Sequence, residues 1–95
     1  MEKMEKTYTK DDFINKFIIK AKEELGDVIS YNNLYEALLD NKMYDEADEI
    51  EYIAQQEYHH ARILMDILEE HDYDVDDDID ITNLCKKVKE IFSMS

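Results

Sequence analysis

Apolar residues recur along the first part of the chain at Phe13, Phe17, Ala21, Leu25, Val28, Tyr35 and Leu39. Their spacing keeps them on one face of an α-helix, and predicts a helix over residues 10–40. Thr9 and Asp12 form a capping-box pattern ahead of it, with Asp where Glu or Gln is usual. Asp40 and Asn41 suit its exit. Residues 1–8 are polar and read as a frayed lead-in. A second stripe, Ala47, Ile50, Ile53, Ala54, Ala61, Leu64, Ile67 and Leu68, predicts a helix over 45–71. Asp45 is the expected cap of that helix. His71 is expected in its closing turn, where a cation meets the negative end of the helix dipole. The link between the helices is short, so they should fold into an antiparallel hairpin of two rods, each roughly 40 Å long.

Residues 72–80 read DYDVDDDID. Like charges this dense repel, and predict an extended acidic linker. The segment lacks the Gly and the terminal Glu of an EF-hand loop, so it reads as a solvated loop rather than a calcium site. Over 81–93, Leu84, Val88, Ile91 and Phe92 make one stripe, with Lys86, Lys87, Lys89 and Glu90 mostly off it. That predicts a third, shorter helix with Thr82 as its cap. One Gly and no Pro agree with long helices and few turns, although Gly26 inside the first helix costs about 1 kcal/mol relative to Ala. The expected fold is all-α. A two-helix hairpin and a short C-terminal helix form one domain over 1–95, which dimerises into a four-helix bundle.

Length and charge sharpen this picture. A chain of 95 residues that is 44% hydrophobic can build only a thin core, for which self-association is a common remedy. A formal charge of -14 argues against nucleic acid and anionic membranes and favours cations. A single cysteine, Cys85, excludes an internal disulfide framework and reads as packing beside Leu84. No apolar run approaches the roughly 20 residues of a membrane span. The start MEKMEKTYTKDD lacks the apolar core of a secretory signal, so the chain reads as cytoplasmic.

The segment that suggests chemistry is Glu57-Tyr58-His59-His60-Ala61. Glu57 and His60 stand three apart and share one side of the second helix with Ile53, Ala61 and Leu64. A carboxylate on a buried face needs neutralising, and a metal ion does this directly. On the first helix the inward line counts as Phe17, Ala21, Glu24, Val28, Tyr31 and Tyr35, which makes Glu24 the acid on the seam. Asp27 is its substitute, with a shorter reach. One chain then offers Glu24, Glu57 and His60, three ligands that barely serve one ion. A two-fold axis doubles them to four carboxylates and two imidazoles, enough for two ions per subunit pair. Two Glu helices and two Glu-x-x-His helices are the ligand inventory of a di-iron four-helix bundle. Tyr31 and Tyr58 are candidates to hydrogen-bond the ligands. His59 is expected to be exposed, and Asn32 is a candidate for fixing helix register.

EELGDVISYNNLYEALL and, after a turn, IEYIAQQEYHHARILMDILEE resemble the ferritin-like superfamily of rubrerythrins, and its short encapsulated ferritin-like members most of all. The likeness covers residues 13–71. It rests on a Glu with a Tyr seven residues later, here Glu24 and Tyr31, and on Glu-x-x-His-Ala, here Glu57, His60 and Ala61. The resemblance implies a ferroxidase that oxidises ferrous iron with oxygen at a di-iron site between two subunits. It also implies decamers built as pentamers of dimers, working inside an encapsulin shell in iron storage or detoxification. Gly26 stands where some relatives carry an acid, and KEIFSMS shows no encapsulin-docking peptide.

Two other readings compete. In one, Glu57 and His60 are a solvated i,i+3 pair on a non-enzymatic helical interaction protein. In the other, the acids and His60 buffer a divalent metal without redox turnover.

Overall fold

The computed structural model describes residues 9–93, and the expected frayed lead-in at 1–8 lies outside them. Helix α1 runs Lys10–Asp40, α2 Tyr44–Glu70 and α3 Ile79–Ser93, with a 3-10 turn at Val75–Asp77 and no strand among the described residues. The Thr9 capping box forms. The Thr9 hydroxyl accepts from the Asp12 N–H at 3.2 Å, and the Asp12 carboxylate accepts from the Thr9 N–H at 2.9 Å.

Helices α1 and α2 stop in the same way. The Met43 N–H donates to the Leu38 carbonyl and the Lys42 N–H to the Leu39 carbonyl. Tyr73 and Asp72 repeat the pattern on Leu68 and Glu69. These are Schellman motifs, which need a left-handed residue just past the helix. Lys42 (φ 62°) and Asp72 (φ 67°) take that role without glycine. Met43 occupies the cap position of α2 without a side-chain bond, so Asp45 is not the cap expected from the sequence. It sits inside the first turn, where an acid still meets the positive end of the dipole.

The hairpin seam is narrower than the apolar stripes suggest. On α2 the buried residues are Ala47, Ala54, Ala61 and Leu68, seven apart throughout. A heptad of small side chains lets two antiparallel backbones approach closely. On α1 they are Ala21, Leu25 and Val28. Leu25 therefore sits at the centre of the seam. Phe17, Glu24, Tyr31 and Tyr35, read from the sequence as pointing inward, are only partly covered, and Phe13 is 48% exposed. A Cβ added at Gly26 would meet nothing within 4 Å, so no packing contact requires a glycine there.

Residues 72–80 are not an extended linker. Val75 is buried, and Asp78 closes the segment onto α3. The Asp78 carboxylate accepts from the Ile81 N–H at 3.1 Å and from the Tyr73 hydroxyl at 2.6 Å, and meets Lys22 Nζ of α1 at 3.6 Å. Burial pushes this carboxyl upward. The Tyr73 hydroxyl, the Ile81 N–H and Lys22 more than reverse this and hold it below the ordinary aspartate range. Asp78 thus caps α3, which begins at Ile79 rather than 81. Thr82 lies inside α3 and donates to the Asp76 carbonyl at 3.2 Å. The reason for the shift is tertiary: Tyr73 and Lys22 draw the acid inward, and helix capping follows.

Ile81 and Val88 anchor α3 on the seam. It meets α2 through the Tyr58 and Phe92 rings, 5.1 Å apart, and through Cys85 and Met65. The result is a slab of 56 × 35 × 16 Å, little more than one helix layer thick. Its radius of gyration, 16.6 Å, exceeds the roughly 12 Å of a spherical chain of this length. Much of each long helix therefore has no intramolecular cover. No described helix is long and apolar enough to cross a membrane.

Candidate metal centre

Glu24 lies one residue before Leu25, and Glu57 four before Ala61, so both reach from the buried seam toward one flank of the hairpin. On α1, Phe13 and Tyr31 share that flank with Glu24, at offsets of eleven and seven residues. On α2, Ile53, Glu57, His60, Leu64 and Ile67 share it, at steps of four, three, four and three. The opposite flank is the one taken by α3, as shown by Lys22 on α1 and Tyr58 and Met65 on α2.

The structure brings Glu24, Glu57 and His60 together. One ligand atom from each lies within 4.8 Å of the others. His60 Nδ1 is 3.7 Å from Glu57 Oε1 and 3.9 Å from Glu24 Oε1. Two donors bound at about 2.1 Å to one ion lie at most about 4.2 Å apart, so small side-chain rotations close the set around a metal. With both carboxylates ionised, Glu24 Oε1 is buried and has no hydrogen-bond donor. An acceptor left bare in this way fits a cation, and the donor set of two carboxylates and an imidazole suits iron in either common oxidation state.

Exposure grades across the cluster. The side chains are 15% accessible at Glu24, 22% at Glu57 and 54% at His60. The imidazole expected to point inward therefore sits at the solvent edge, which leaves the centre open on one side. The Glu24 carboxyl is pushed up to about 7. The first cause is the hydrogen bond it makes with Glu57 when protonated, followed by burial and the Glu57 charge. His60 and Lys20 pull it down. Below about pH 7 the metal-free protein therefore holds a proton here that a cation would displace.

Raising a carboxyl from 4.5 to about 7 also links folding to pH. The folded state binds the proton more tightly than the unfolded chain. The resulting stability is full below pH 4.5 and is lost as pH rises through about 7. In chelator, Glu24→Gln should therefore gain in stability on the parent chain as pH rises from 4.5 to about 8, as read from urea unfolding. Parallel stability profiles would contradict the carboxyl pairing.

The other candidates sit elsewhere. Asp27 is exposed and outside the cluster. Tyr31 is half-buried on the same flank and makes no hydrogen bond to a ligand among the described residues. Tyr58 faces α3, where its ring meets Phe92, so it is on the wrong side of α2 to support the ligands. His59 is exposed, and His71 is the exposed C-cap residue of α2. Asn32 is half-buried beside a groove of about 660 Å³. Cys85 Sγ lies 3.6 Å from Met65 Sδ in a packing contact. Sequence reasoning missed Lys20. It pairs with Glu23 at 3.5 Å and stands one turn before Glu24, an i,i+4 spacing that could have signalled it.

Comparison with protein-family models, with curated proteins and with solved structures finds no match to this chain.

Proposed function

We propose that the chain is a ferritin-like half-bundle that pairs with a second copy through the Glu24–Glu57 flank and oxidises ferrous iron with oxygen. One observation carries this reading: the ionised Glu24 Oε1 is buried with no hydrogen-bond donor, beside a second carboxylate and an imidazole within ligand distance. The same flank leaves Phe13 and Ile53 exposed at 48% and 36%, apolar surface that a second copy would cover. The resemblance over residues 13–71 points the same way.

Two ferrous ions per subunit pair are the substrate, and oxygen takes one electron from each. Glu24, Glu57 and His60 of both copies would hold them. The four carboxylates offset the charge of two divalent ions, which is why doubling completes the site. Entry of a cation displaces the Glu24 proton, so uptake strengthens as pH rises. The exposed edge beside His60 is the way in for both substrates. The acidic surface raises the local concentration of ferrous ions. Association of the pairs into larger rings and loading into an encapsulin shell extend this proposal to the partners of the resembling family.

Anaerobic ferrous loading of chelator-free protein tests it. The expected result is two ions per pair and oxygen consumption on admitting air. Stoichiometric binding without oxygen uptake would favour a metal buffer. No binding at all would favour a non-enzymatic helical partner.

A further inference from the structure

An open groove of about 620 Å³ runs between α2 and α3, on the flank away from Glu24 and Glu57. Its floor is apolar, with Met65 and Cys85 in contact at its centre and Val75 and Ile81 buried beneath its turn end. Its rim is divided by charge. Glu69 of α2 and Asp76 of the 3-10 turn lie toward the α2–α3 turn, and Arg62 of α2 and Lys89 of α3 lie farther along. Asp66 and Lys86 stand between them, each next in sequence to one of the two central residues. About 10 Å of helix rise separates Arg62 from Glu69. Among the described residues none of these six side chains takes part in an ion pair. Four cations follow Lys42 in the chain, and three of them border this groove.

A surface with acids at one end and cations at the other is complementary to itself under a two-fold axis between them. The axis would pass over Met65 and Cys85, stacking the two apolar floors and setting each acidic end against the other copy's cations. A uniformly acidic partner would meet Asp66, Glu69 and Asp76 as like charges, and a uniformly basic one would meet Arg62, Lys86 and Lys89. We propose that the α2–α3 groove is a second, isologous interface that takes the same groove of another copy. It does not rest on the metal reading, because it uses the opposite flank.

Charge exchange tests this on the full chain. Arg62→Glu with Lys89→Glu leaves Lys86 as the one cation of the six and makes the rim largely acidic, and Asp66→Lys with Glu69→Lys leaves Asp76 as the one acid and makes it largely basic. All four residues are exposed, so circular dichroism should match the parent. By native mass, each double variant alone should fall to half the parent's mass or less. A one-to-one mixture should regain the parent's mass through acidic-to-basic pairing. Retention of the parent mass by either variant alone overturns the proposal, as does a mixture that fails to reassociate. Repeating the exchange in Glu57→Ala protein with chelator should give the same loss and regain, so failure of the metal flank would be told apart from failure of the groove.

Discussion

Glu57→Ala protein, purified without chelator, should carry no stoichiometric iron and consume no oxygen on ferrous addition. Glu57 is one of three side chains that could hold a metal ion, and the one whose carboxyl also faces Glu24. Loss of groups that merely orient a ligand weakens metal sites by about 10–100-fold, so loss of a ligand itself should exceed about 100-fold. The variant also removes the neighbour that raises Glu24, whose carboxyl should return toward the ordinary glutamate range. Metal-free Glu57→Ala should therefore keep its helices, and its stability should vary less with pH than the parent's. Asp27→Ala serves as the control, because Asp27 is exposed and outside the cluster, and its iron content should match the parent. If Glu57→Ala retains iron at the parental ratio, Glu57 and His60 are an ordinary surface pair and the centre lies elsewhere or nowhere.

Asp78→Ala should lower unfolding stability by about 3 kcal/mol. A helix cap contributes about 1 kcal/mol, and a hydrogen bond to a charged group about 1.5–3 kcal/mol. Here one carboxylate caps α3 through Ile81, accepts from Tyr73 and pairs with Lys22, tying together α1, the end of α2 and α3. Its side chain is 10% accessible, so solvent screening is weak. For a domain of this size the midpoint of thermal unfolding should fall by roughly 15 °C. Tyr73→Phe removes one of the three contacts and should cost less. The carboxyl is held below its ordinary value of 3.8, so its stabilisation is present above that pH and is lost as pH falls toward the folded-state value. Tyr73, pushed up to about 12 mainly by its bond to Asp78, keeps its proton through this range. A cost under about 1 kcal/mol would mean that α3 docks through Ile81 and Val88 alone.

Local signals explain how much was legible beforehand. The Thr9 capping box acts within one turn, and the apolar period within a few, so α1 was readable to the residue and α2 to within one. The same periodicity placed Glu24, Glu57 and His60 on one flank, because relative angles around a helix follow from numbering alone. Numbering does not say which sector of the helix is covered. Leu25 rather than Glu24 lies in the seam, and Tyr58 faces away from the ligands, because α3 packs on one side of the hairpin and leaves the other bare.

Residues 72–80 show the limit from the other direction. Their charge pattern predicts repulsion and extension. One acid among them, Asp78, is held ionised by a hydrogen bond from Tyr73, nearby in sequence, and by the charge of Lys22, more than fifty residues away. The helices, their hairpin and the grouping of Glu24, Glu57 and His60 were determined by the sequence itself, through helical periodicity and a short link between neighbours along the chain. The covered flank, the role of Asp78 and the charge-divided groove were decided only in three dimensions, where residues remote in sequence set one another's solvent and charge environment.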